Sequence, residues 1–145
     1  MCCCCKEKKV VVTEGAPKAI GPYSVGISAG HFVFTAGQIG LDPATQNIVE
    51  GGVEAETRRA LTNLKNILEA ADSSLEHVVK TTVFLRDMGD FARMNAVYGE
   101  FFKENPPARS TVQVAALPKG AAVEIEAIAM THCHHDDDHE CCCKD

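Results

Sequence analysis

Residues 105–120, NPPARSTVQVAALPKG, contain the most suggestive charged side chain of the chain's body. Beyond the two prolines, alternation sets Val112 and Val114 on one face of a half-buried strand and Arg109, Thr111 and Gln113 on the other. Arg109 opens that strand and has two readings. It is a solvated strand end or ion-pair partner, or it is a planar guanidinium fork set out to grip an anion. Glu124, in the last strand, reads by residue type alone as a solvated position. The remaining reactive groups are massed at the ends: all eight cysteines lie at Cys2 to Cys5, Cys133 and Cys141 to Cys143. Thiolates and imidazoles at that density are donors for zinc or copper(I), with Cys133, His134, His135 and His139 the candidates. Cys2 and Cys5 stand at CxxC spacing only as the ends of an unbroken run of four cysteines, and the other tail has no such pair, so the signal is compositional. Cys2 to Cys5 beside Lys6, Lys8 and Lys9 also fit S-acylation, the lysines adding attraction to anionic lipid. Plain disordered extensions are the preferred expectation for both tails, ahead of metal capture and then acylation.

The elements that would position these groups lie between the tails, in a chain of 145 residues, one domain's worth and small enough that oligomerisation is expected. Three Lys and one Glu charge residues 1–9, and one Lys and five acids charge residues 132–145, so the net charge of −6 leaves the body mildly acidic. Such a body offers no basic stripe for nucleic acid. No apolar run approaches bilayer length, and no signal-peptide core opens the chain. A cysteine-free body reads as an intracellular, cytoplasmic domain, with membrane association through acylated cysteines as the alternative.

The expected organisation is a tail (1–9), one α+β domain (10–131) and a second tail (132–145). KVVVTEG opens the body with a short strand, and GPYSVGISAGHFVFTAGQIGLD supplies two or three more, separated by turn residues. From Val53 the apolar period becomes helical, through Ala60, Leu61, Leu64, Ile67, Leu68 and Ala71. HVVKTTVFLRD is a long strand. Asp90 then caps a second helix bearing Phe91, Met94, Val97, Tyr98, Phe101 and Phe102, ended by Asn105-Pro106-Pro107. The last two strands join at a short turn around PKG, a hairpin register that sets Arg109 opposite roughly Ile128. Two helices cover one face of a single sheet. In the final strand Val123, Ile125, Ala127 and Ala129 pack beneath them. Glu124, Glu126, Ile128 and Met130 share the other face, whose mixed character suits a subunit interface. His31 and His77, near strand starts, read as structural.

In their order and spacing GPYS, FTAGQIG, VVKTTVFLRDM, MNAVYGEFF and PARSTVQVAALPKGAAVEIEAIA resemble the Rid (reactive intermediate deaminase, RidA/YjgF-like) family, from about Val10 to Met130. The resemblance implies a chorismate-mutase-like fold, one mixed sheet covered on one face by two helices. It also implies a homotrimer with sheets forming an inner barrel and sites in the clefts between subunits. The archetypal branch hydrolyses 2-imino acids such as 2-iminobutanoate and 2-iminopropanoate, released by pyridoxal-phosphate enzymes, to 2-keto acids and ammonia, with no metal or organic cofactor. By resemblance Arg109 of PARS binds the substrate carboxylate and Glu124 of VEIEA helps hold the attacking water as a general base. Tyr23 of GPYS lines the pocket, Gly37 of TAGQ gives a backbone contact, and Asn95 of MNAVY lies near the cleft. Thr111 departs from the cysteine of many archetypal members and Ala36 from a common serine. Thr111 is expected to act through its backbone oxygen and side-chain size. The alternative from another class is a non-catalytic trimer that senses small carboxylates through the same cleft. Translation inhibition or RNA cleavage, also linked to the family, finds little support in an acidic body.

Overall fold

The computed structural model describes residues 7–132; Cys2 to Cys5, Cys133, His134, His135 and His139 lie outside the described residues. Among the described residues seven strands, β1 (Lys9–Val11), β2 (Gly26–Ala29), β3 (Phe32–Thr35), β4 (Gln38–Ile39), β5 (Val78–Leu85), β6 (Ala108–Gln113) and β7 (Val123–Met130), form one mixed sheet. Its order is β1-β2-β3-β7-β5-β6, with β4 also pairing β7. Helices α1 (Gly52–Ala70) and α2 (Phe91–Phe101) lie on one face, giving the expected two-layer α+β architecture. β1 begins at Lys9, one residue ahead of the expected domain start.

The core forms where the two periodicities meet. Leu61, Leu64, Ile67 and Leu68 of α1 and Met94 of α2 are buried against Val123, Ile125, Ala127 and Ala129 of β7 and Val83 and Leu85 of β5. Each such fully buried Leu or Ile contributes about 1.5–3 kcal/mol. Polar side chains of α1 also reach the sheet. Glu56 accepts a hydrogen bond from Ala122 N at 2.9 Å, and Asn63 donates to Leu41 O at 2.9 Å, tying the ends of β4 and β7 to the helix.

Three expectations are corrected. β6 and β7 are not a hairpin: β5 lies between them, β6 runs parallel to β5, and Arg109 is registered with Thr81. The winning constraint is the β5–α2–β6 unit, a crossover that requires parallel strands, whereas the segment around PKG is a 3-10 turn with Lys119 at φ 56° inside a longer return to β7. Arg109 and Thr111 consequently share the helix-covered face with Thr81 and Val83, while Val112 stands exposed beside Phe84 on the open face. Finally, Asp90 occupies the cap position of α2 without a capping hydrogen bond. Its carboxylate pairs with Arg93, and Asp87 instead accepts from Gly89 N at 2.8 Å in the turn before the helix.

The open face is the sheet's second surface. A rung reads Val10, Ile27, Phe34, Ile128, Lys80 and Ala108 across it, and Val10, Phe32, Phe34, Val112 and Met130 are exposed. Among the described residues no helix is long and apolar enough to cross a membrane.

Candidate active site

One group of predicted residues gathers where β3 gives way to β4. β3 leaves β7 at the pair Phe34–Ile128 and β4 rejoins it at Gln38–Ile125, so Thr35, Ala36 and Gly37 stand against only Ala127 and Glu126. This is a bulge, with one residue more on one side than the other. It is pinned rather than loose: Thr35 Oγ1 accepts from Ala127 N at 2.9 Å and Ala36 N donates to Val25 O at 2.9 Å. The bulge drives the backbone of Gly37 onto the Glu124 side chain. A Cβ at position 37 would lie 2.7 Å from Glu124 Cδ, so any larger residue there has to push the Glu124 side chain aside.

Tyr23, Ala36, Gly37, Ile39, Pro118 and Glu124 line a cavity of about 300 Å³ there. Tyr23 is half exposed, its hydroxyl accepting from Ile20 N at 3.3 Å. Burial, and secondarily the negative charge of Glu126, push the Glu124 carboxyl above its ordinary value. A carboxylate so placed is a better proton acceptor than one in water.

A second group lies on the other face. The Arg109 guanidinium sits over the Tyr98 ring, Cζ 4.7 Å from its centroid, and 5.6 Å from that of Phe91. Tyr98 Oη is hydrogen-bonded to Thr81 Oγ1 at 2.7 Å, and Thr81 is the neighbour of Arg109 across the ladder. Burial raises the Tyr98 pKa, opposed by the Thr81 hydrogen bond and the Arg109 charge. Among the described residues Arg109 has no carboxylate partner, so the ion-pair reading of its sequence position finds no support. Asn95 lies on the α2 face that carries Phe91 and Tyr98, four and three residues away. Its Oδ1 and Thr111 Oγ1 are buried without a hydrogen-bond partner. Such atoms cost about 1–3 kcal/mol each unless something else meets them.

The chain thus unites Tyr23, Gly37 and Glu124 in one cavity and sets Arg109, Thr111 and Asn95 at the α2 side, but does not unite the two groups. Arg109 projects from the helix-covered face and Glu124 from the open one. Sequence reasoning missed Tyr98 and Phe91 as neighbours of Arg109, because both fit the apolar stripe of α2. The signal available was the Tyr98 hydroxyl, which needs a polar partner when buried. Among the described residues no three His, Cys, Asp or Glu side chains are grouped to hold a metal ion.

Comparison with known proteins places the chain. Residues 13–131 match the family model described as Endoribonuclease L-PSP. A RutC family protein of Pyrococcus horikoshii is 58% identical over 120 residues, spanning 83% of this chain and 95% of that protein. The human 2-iminobutanoate/2-iminopropanoate deaminase is 49% identical over 121 residues, spanning 83% of this chain and 88% of the relative. The crystal structure of the YjgF gene product from E. coli superposes with a TM-score of 0.81 at 47% identity, spanning 86% of this chain and 99% of that one. With the sheet order, the two covering helices and the near-complete span in agreement, the chain belongs to the Rid family of YjgF-like, L-PSP-type proteins.

Proposed function

We propose that the domain formed by residues 10–131 hydrolyses reactive 2-imino acids, 2-iminobutanoate and 2-iminopropanoate among them, to 2-keto acids and ammonia, in a site completed by further copies of itself as a homotrimer. The observation that carries this reading is the state of Arg109: stacked on Tyr98, held in orientation, and without a carboxylate of its own among the described residues. A substrate carboxylate answers that fork with two parallel charge-assisted bonds. Deaminase relatives near 50% identity support the choice of imine over other small acids.

In the proposed reaction Arg109 fixes the acid end of the substrate. Tyr23 and the Gly37 backbone bound the space around the C=N carbon. Glu124 accepts a proton as water adds to that carbon and returns it to nitrogen, giving a neutral carbinolamine. Transfer of the carbinolamine's hydroxyl proton to nitrogen by the same carboxylate lets ammonia leave as the C=O forms, so one water is consumed and no electrons change hands. Because Arg109 and Glu124 face opposite ways in one chain, the catalytic pair has to come from two copies. The apolar open face, with Phe32, Phe34 and Met130 exposed, is the surface proposed to bring copies together.

The test generates 2-iminobutanoate in situ with a threonine dehydratase and times its disappearance. The chain should shorten its lifetime, and Arg109→Ala should remove the effect while leaving the assembly intact. A wild-type chain no faster than spontaneous hydrolysis would overturn the enzymatic reading and leave a carboxylate-binding protein.

A further inference from the structure

Two buried oxygens lie to either side of the Arg109 cation without a partner. The guanidinium is 4.7 Å from the Tyr98 ring centroid and 5.6 Å from that of Phe91. On α2, Phe91, Asn95 and Tyr98 follow one another along a single stripe of the helix, so Asn95 sits between the two rings that flank the guanidinium. On β6, Thr111 stands two residues beyond Arg109 on the same face. Asn95 Oδ1 and Thr111 Oγ1 are both buried without a hydrogen-bond partner. The third such atom among the described residues, Thr57 Oγ1, belongs to a fully buried residue of α1. Orphan oxygens are uncommon in native folds, and two of them beside one cation mark a place kept for a ligand.

The two oxygens differ in what they can meet. A hydroxyl donates or accepts, so Thr111 can add a bond to the carboxylate that Arg109 grips. An amide oxygen only accepts, so Asn95 Oδ1 has to meet a donor. In a 2-imino acid the nitrogen sits on the carbon next to the carboxylate and carries hydrogen. The 2-keto acid left by hydrolysis has an oxygen there, with lone pairs and no hydrogen. One amide oxygen at this place therefore attracts the substrate and repels the product, while Arg109 holds the carboxylate of both.

We infer, resting on the imine hydrolysis proposed above, that Asn95 tells substrate from product. Its Oδ1 accepts a hydrogen bond from the nitrogen of the imino acid held at Arg109, and the keto acid, which cannot make that bond, is released. This gives Asn95 a specificity role, beyond a place near the cleft.

The experiment sets turnover beside calorimetric binding of two stable probes to the full chain: 2-aminobutanoate, whose nitrogen bears hydrogen, and 2-ketobutanoate. Asn95→Leu should weaken 2-aminobutanoate by about 10-fold and raise KM for 2-iminobutanoate similarly, with 2-ketobutanoate bound as tightly as before or more tightly. Sedimentation of the assembly should not change. Asn95→Asp puts a carboxylate between the two rings, where it should capture the Arg109 guanidinium and weaken both probes. Should Asn95→Leu fail to fold or to assemble, Asn95→Ala takes its place. A wild type that binds neither probe, equal losses for both probes or no loss for either in the apolar variant, or wild-type binding by Asn95→Asp would each overturn the assignment. The binding contrast without any wild-type turnover would instead overturn the deaminase reading and leave the nitrogen contact standing.

Discussion

The Arg109 guanidinium lies over the Tyr98 ring with Cζ 4.7 Å from the centroid, while the hydroxyl of that ring is tied to Thr81, the ladder neighbour of Arg109. Arginine, tyrosine and threonine form a closed triangle linking β6, α2 and β5. The cation is oriented from beneath by an aromatic face, and that face is anchored at its far edge. The proposed substrate meets an arginine already stacked on a ring, and less entropy is lost on binding.

The two functions of Tyr98 should separate by substitution. Tyr98→Phe keeps the ring beneath Arg109 but leaves Thr81 Oγ1 without its partner. It should cost about 1–3 kcal/mol of stability in denaturant unfolding, with KM for the imine little changed. Tyr98→Leu removes the cation–π contact as well, about 0.5–2 kcal/mol, and should raise KM. Equal KM values for both variants would show that the ring does not orient the arginine.

The raised pKa of Glu124 predicts the pH dependence. A general base works ionised, so kcat/KM should fall as pH drops through a value above the ordinary 4.5. Glu126→Gln removes the secondary cause and should move that limb towards lower pH without abolishing turnover. Glu124→Gln should abolish the limb together with most of the rate. Linkage has the opposite sense for stability: a carboxyl whose folded pKa is raised stabilises the fold below its unfolded pKa, and that contribution is lost as pH rises through the folded value.

Gly37→Ala places a methyl group 2.7 Å from Glu124 Cδ and must displace the carboxylate or the bulge. Imine hydrolysis should fall by about 100-fold, the penalty of an ångström-scale misplacement, while the unfolding midpoint moves far less. A fully active variant would remove Glu124 from the water-activating role.

Phe34→Lys puts a charge at the centre of the open face, on the rung shared by Ile27 and Ile128. Sedimentation should show the assembly reduced to single chains, and imine hydrolysis should vanish although Arg109 and Glu124 are untouched. A monomer that retained full activity would contradict a site built from several copies.

Much of the fold was legible because each element declares its own period. The helical spacing from Val53 and the alternation of Val123 to Ala129 set the two layers, and the structure buries those residues together. What escaped was the place of β6. A proline-glycine turn before a last strand imitates a hairpin, and only the crossover through α2 reveals that β5 is interposed. With the strand misplaced, its faces were misassigned too, since alternation tells which residues share a side but not which side is covered. The resemblance named Glu124 and Gly37 for one cleft but did not set them side by side. The physical cause of that contact, the extra residue among Thr35, Ala36 and Gly37, is a mismatch in pairing that one strand's sequence does not display.

The sheet itself is the partition between the two halves of the proposed site, and under that proposal the protein's genetics are unusual. A chain lacking the guanidinium still carries a sound carboxylate, and a chain lacking the carboxylate still carries a sound guanidinium. Unfolded together and refolded as a mixture, two individually dead proteins should rescue one another in a fraction of their clefts, a complementation that no enzyme with a self-contained centre can perform.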